Sequence, residues 1–215
     1  MSETEKTDWT RYYRKPAVTA RLLRRITASR LISGLERSGS APGAGGFIVE
    51  PGGGGSSFAR RLARRFGCAE YGVLDTHEEG LELFRRQDLP CHSRAERCDI
   101  LGPLPDWQGD LVFSAGLIEH FPPEETARAV RAHFELAKEG GTVAFLFPEN
   151  TGLYRTVRRI LEVSGLWHFP DERALEPPEV IRAAGREPLL SEGIRIILLT
   201  QRLLVFRKEK NGEKI

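Results

Sequence analysis

Between residues 46 and 147, short apolar runs alternate with segments whose apolar residues recur three and four positions apart. The runs at 46–50, 70–75, 110–114 and 142–147 read as buried strands, and a less apolar strand is expected near 97–100. Between them, 57–66, 77–86 and 124–136 carry helical spacing, and Pro123 suits a first helical turn. Strands alternating with helices predict an α/β fold, a parallel sheet covered on both faces.

Before this region, Leu22, Leu23, Ile26, Leu31, Ile32 and Leu35 recur between arginines and predict an amphipathic helix over 18–35 whose apolar face packs on the core. The Gly, Ser, Ala and Pro residues of 38–46 form a link. After strand five, 153–163 looks helical and 165–178 mixes aromatics, charges and prolines. Two strands, at 189–199 and 202–207, close the chain as a hairpin. The ends, 1–8 and 208–215, are polar and read as solvated tails that carry no chemistry. The organisation is therefore a tail, helix and linker over 1–45, and one α/β domain over 46–215 with a cap inserted at about 150–178.

Composition narrows the function. With 215 residues and 40% hydrophobic content, the chain can bury one core. The 32 basic and 30 acidic residues leave a net charge of +2, so no nucleic-acid surface is announced. The longest apolar runs fall far short of the roughly 20 residues that span a bilayer, and no membrane partner is expected. Cys68, Cys91 and Cys98 form no CxxC pair, which points to reduced thiols, a cytoplasmic location and no metal centre.

Candidate chemistry begins at the first strand's end. Gly46-Phe47-Ile48-Val49-Glu50-Pro51-Gly52-Gly53-Gly54-Gly55-Ser56-Ser57 joins a strand to a helix through a turn nearly free of side chains. Such a turn is either a plain loop or a place where a ligand touches backbone, with the helix N–H groups favouring a carboxylate or phosphate. Glu50 ends the strand, where the crevice of a parallel sheet opens. Asp75, 25 residues on, can accept from both ribose hydroxyls, as in an adenine nucleoside site, or cap the next helix. Asp99 can accept from an adenine amino group while Ile100 packs on the ring, or it is a solvated loop residue.

Glu50-x-Gly52-x-Gly54, Asp75, Asp99, Asp110-Leu111-Val112-Phe113-Ser114 and Glu139-Gly140-Gly141 resemble the successive motifs of class I S-adenosylmethionine-dependent methyltransferases. Gly116-Leu117-Ile118-Glu119-His120-Phe121, Phe147-Pro148, Leu153-Tyr154-Arg155 and the run from Leu166 to Arg173 are similar to small bacterial methyltransferases found with polysaccharide or natural-product genes. The resemblance implies a Rossmann-like seven-stranded sheet with its last strand antiparallel and S-adenosyl-L-methionine as cofactor. It also implies roles: Glu50, Gly52 and Gly54 around the methionine part, Asp75 at the ribose, Asp99 and Ile100 at the adenine, and Ser114, Ala115 and Gly116 beneath the methionine backbone. Two positions depart from the pattern: Ser56 stands for the third glycine, and Ala174 for a proline after Asp171-Glu172-Arg173.

Other chemistries are less well served. A nicotinamide dehydrogenase wants G-x-G-x-x-G, and the third glycine would fall on Ser57 or Phe58. A noncatalytic module would not need the Glu119-His120 pair beside the acceptor pocket. The expected acceptor is a small molecule, a sugar, nucleoside or natural-product intermediate, methylated first on oxygen and second on nitrogen. His120 or Glu119 would be the base, and Tyr12, Tyr13, Tyr154, Trp167 and Phe169 are candidates for the acceptor pocket.

Overall fold

The fold rests on a computed structural model that describes residues 7–14, 18–167, 169–196 and 199–210. Seven strands form one sheet: β1 (Phe47–Pro51), β2 (Glu70–Asp75), β3 (His92–Arg97), β4 (Gly109–Ala115), β5 (Ala137–Pro148), β6 (Leu190–Ile196) and β7 (Leu199–Arg207). Their order is β3-β2-β1-β4-β5-β7-β6. The strands from β1 to β5 pair in parallel, and β7 runs antiparallel to both β5 and β6. The expected antiparallel last strand and closing hairpin are both present. Strand order reverses between β1 and β4, which opens a crevice at their carboxyl ends.

Strands β1, β4 and β5 are legible in the sequence because burial on both faces demands continuous apolar runs; Leu111, Val112 and Phe113, for example, are all fully buried. The third strand is a correction. It runs His92-Ser93-Arg94-Ala95-Glu96-Arg97 rather than 97–100, pairing with β2 from Glu70↔His92 to Asp75↔Arg97. As an edge strand with no buried residue, it has no apolar run to betray it. Asp99 and Ile100 consequently lie in the turn beyond the strand.

Helices α3 (Ala59–Phe66), α4 (Glu78–Arg85) and α5 (Pro123–Leu136) fill the expected crossovers. Helix α2 (Val18–Arg37) buries Ala28, Leu31 and Leu35 and packs on β6, β7 and α3. Two elements were not expected. Helix α7 (Pro177–Ala184) packs on α5, yet buries only Val180 and Ala184, too few positions for a visible period. Helix α1 (Trp9–Arg14) overlies the crevice, and Thr7, assigned to a solvated tail, is buried. Between β5 and α7 lies helix α6 (Gly152–Val163), with Thr151 accepting from the Tyr154 N–H at its start. No helix among the described residues is long and apolar enough to cross a membrane.

Candidate active site

Glu50 leaves β1 into the crevice floor and is 3% exposed. Its Oε2 accepts from the Ser56 and Tyr71 hydroxyls, each at 2.5 Å. Burial pushes the Glu50 carboxyl up to about 7, against the pull of Ser56, Tyr71 and the nearby Arg24 guanidinium. Ser56, the residue in place of a third glycine, also accepts from the N–H groups of Phe58 and Ala59 at 3.2 and 3.1 Å. Its hydroxyl therefore occupies first-turn donors of α3 that an anionic ligand was expected to use, and ties that helix to Glu50.

The turn itself needs glycine at two positions. Gly52 has φ +68, and a Cβ there would meet the Leu117 side chain at 2.8 Å. Gly54 has φ +42, and a Cβ would meet the Tyr13 hydroxyl at 2.0 Å. Helix α1 thus lays Tyr13 directly on the glycine turn. The same hydroxyl donates to Asp75 Oδ2 at 3.1 Å, and Asp75 Oδ1 accepts from the His77 N–H at 2.8 Å. One carboxylate oxygen thus holds the backbone just before α4 and the other meets the Tyr13 hydroxyl at the crevice wall. Asp99 Oδ1 accepts from the Leu101 N–H at 2.9 Å, and Asp99, Ile100 and Leu101 wall the crevice beyond Asp75.

At the end of β4, Gly116 turns with φ +82 into the 3₁₀ turn Ile118–His120. Ser114 stays within the sheet, 1% exposed, with its Oγ unpartnered among the described residues. His120 Nδ1 meets Asp171 Oδ1 at 3.2 Å. Asp171 also accepts from the Thr7 hydroxyl. An ionised Asp171 can only accept, so the proton belongs on Nδ1 and the lone pair on Nε2. Burial lowers the His120 pKa, opposed by Asp171, so the ring is neutral at neutral pH. Burial raises the Asp171 carboxyl, but the Thr7 hydroxyl and His120 outweigh it and hold the group below its ordinary value.

Glu119 is 1% exposed, and burial followed by the charge of Glu172 pushes its carboxyl well up. Burial raises Glu172 too; its Oε1 accepts from the Tyr154 hydroxyl. Arg173 ties this cluster to α5 and α7: its N–H donates to Glu119 O at 3.0 Å, and its guanidinium reaches Phe121 O, the Thr126 hydroxyl and Glu179.

These groups line two adjoining cavities of about 1000 and 280 Å³. The larger holds Asp75, Asp99, Ile100, His120 and Asp171; the smaller holds Arg24, Glu50, Ala115, Phe169 and Gln201. Gly52, Tyr13, Gly116 and His120 border both. Of the aromatic candidates, Tyr13 and Phe169 line a cavity. Tyr154 and Trp167 stand behind, their rings 6.3 Å apart, with Trp167 edge-on to Phe169 at 6.0 Å. The Tyr12 side chain lies outside the described residues. Trp9, Arg24, Asp171 and Glu172 were missed as site residues. Trp9 packs edge-on to His120 at 5.0 Å, and its only sequence signal is the density of aromatic rings in Trp9-Thr10-Arg11-Tyr12-Tyr13.

The acid series from Glu50 through Asp75 to Asp99, with a bare backbone at Gly52 and an apolar wall at Ile100, fits an adenine nucleoside joined to an amino acid. The matches agree. The family described as "Methyltransferase domain" matches residues 48–141. Among solved structures, the chain is similar to magnesium protoporphyrin IX methyltransferase from Synechocystis PCC 6803 with bound S-adenosylhomocysteine: 16% identity, 94% of this chain and 93% of that one, TM-score 0.72. It is similar to an N-methyltransferase from Bradyrhizobium japonicum WM9 in complex with S-adenosylhomocysteine, at 18% identity, 86% of each chain and TM-score 0.60. An O-methyltransferase family protein from Burkholderia thailandensis shares 14% identity over 77% of this chain and 52% of that one, TM-score 0.59. No curated protein matches the sequence. Fold and matched segment converge: residues 48–141 match the methyltransferase domain, and they lie within the fold of methyltransferases solved with S-adenosylhomocysteine.

Proposed function

We propose that this chain methylates a small-molecule acceptor, first on oxygen, with the acceptor held between the cofactor side of the crevice and the His120–Asp171 pair. Asp75 would hold the ribose, Asp99 and Ile100 the adenine, and Glu50 the methionine ammonium. Bound there, S-adenosylmethionine supplies a methyl group on a positively charged sulfur. The chain's own contribution is to hold the acceptor close in a dry site, under Trp9 and Phe169, and to manage its proton.

The observation that carries the oxygen reading is the His120–Asp171 hydrogen bond. It presents a neutral imidazole lone pair on a cavity wall, and Asp171 would stabilise the imidazolium formed when a hydroxyl proton moves to Nε2. The candidate acceptors remain a sugar, a nucleoside or a natural-product intermediate, and the three cysteines without a CxxC spacing favour the cytoplasm.

Incubation with methyl-labelled cofactor and fractionated small-molecule extract tests this. Label should appear in an alkali-stable ether of low mass, and His120→Ala should slow its appearance by about 10²–10⁴. Label found only in macromolecules, with low-mass fractions empty, would contradict the proposal.

A further inference from the structure

The turn beside His120 holds a group that proton transfer leaves unused. Glu119 Oε2 is buried and has no hydrogen-bond partner among the described residues. An orphaned carboxylate oxygen in a closed site is costly, and a second carboxylate nearby makes it more so. Such a second carboxylate is present. One ligand atom each from Glu119, His120 and Glu172 lie within 4.8 Å of one another, close to the span of donors around a single small cation.

The surroundings suit a cation. Asp171 engages His120 Nδ1 and leaves Nε2 for a metal, the carboxylate–histidine arrangement that orients metal-ligating imidazoles. Tyr154 donates to Glu172 and fixes that carboxylate in turn. His120 and Glu172 line both cavities, so coordination positions would remain open toward the acceptor. One nitrogen and two carboxylate oxygens suit Mn²⁺ or Zn²⁺ better than the all-oxygen shells of Ca²⁺ or Mg²⁺.

We propose that Glu119, His120 and Glu172 form a divalent-cation site facing the acceptor. This rests on the reading of that wall as the acceptor side and deepens it. A bound cation would take the acceptor oxygen as a further ligand and acidify its hydroxyl, whose proton would pass to water at an open coordination position, with His120 serving as ligand. Where the site is empty, His120 takes the proton itself.

Titration of metal-stripped protein with Mn²⁺, followed by loss of the free-ion electron paramagnetic resonance signal, tests the site without any turnover. One Mn²⁺ per chain should bind and be displaced by Zn²⁺. Glu119→Gln and Glu172→Gln should each weaken binding at least about tenfold, and Asp171→Asn by about 10–100-fold. Mn²⁺ should raise the melting temperature of the wild type and not of Glu172→Gln, which reads the site even if Glu119→Gln folds poorly. No saturable Mn²⁺ binding, or binding indifferent to both glutamine variants, would overturn the proposal. S-adenosylhomocysteine titrated in parallel keeps the two readings apart. Binding of S-adenosylhomocysteine without Mn²⁺ removes only the cation site; failure of the wild type to bind S-adenosylhomocysteine removes the methyltransferase reading beneath it.

Discussion

His120 and Asp171 are 51 residues apart in the chain, yet they meet at 3.2 Å and join the 3₁₀ turn after β4 to the segment between α6 and α7. On the function proposed, that contact would mark the acceptor side of the crevice. His120→Ala is expected to cost about 10²–10⁴ in turnover while cofactor affinity holds, the usual share of a proton-handling group. The pH profile gives the sign. Because burial lowers the His120 pKa, the acid limb of turnover should lie below the ordinary imidazole range near 6.5. Asp171 opposes that shift, so Asp171→Asn should move the limb further toward acid. A limb unmoved by Asp171→Asn would detach the imidazole from the reaction.

Glu50 is expected to couple cofactor binding to proton release. Burial raises its carboxyl to about 7, whereas a bound ammonium favours the ionised form and lowers it. Below pH 7 the group must lose a proton on binding, so S-adenosylhomocysteine affinity should weaken as pH falls from 8 to 6. Calorimetry in two buffers of different ionisation enthalpy would measure the released proton. Glu50→Gln should abolish the release, and equal heats in both buffers for the wild type would refute it.

His133 in α5 reports on stability rather than catalysis. Its Nδ1 lies 2.7 Å from Ala129 O, Nε2 is unpartnered among the described residues, and burial lowers its pKa to about 4. The unfolded chain binds the proton near 6.5 and the folded chain only near 4. Stability from this group is therefore present above 6.5 and lost as pH falls through that window, by about 1.4 kcal/mol per pH unit. Denaturant titrations of His133→Leu should lack this slope; an unchanged slope would assign it elsewhere.

The segment from 150 to 178 is expected to close over the acceptor. Tyr154, Trp167 and Phe169 pack on one another there, while Ile160, Val163 and Leu166 remain largely exposed. Amide hydrogen exchange should slow in this segment when cofactor and acceptor bind together. Indifferent exchange would make it a rigid edge.

What was legible in the sequence follows from where the free energy of each element lies. Strands β1, β4 and β5 are buried on both faces and announce themselves. Strand β3 is held by one neighbour and polar contacts, so its residues carry no period. Glu50 and Asp75 could be placed because they follow strands. Their partners Ser56, Tyr71 and Tyr13 could not, since those contacts arise only when three elements converge. The Thr7–Asp171–His120 chain is the extreme case: a residue read as tail meets a cap residue 164 positions away.

The acid series at the strand ends would hold an adenine nucleoside, with Asp75 at its centre. Calorimetric titration of S-adenosylhomocysteine into the wild type and Asp75→Ala tests it most directly. One site per chain is expected, weakened by about 2–3 kcal/mol in the variant through loss of a charged acceptor to the ribose hydroxyls. Equal affinity in both proteins would place the ribose elsewhere and contradict the account.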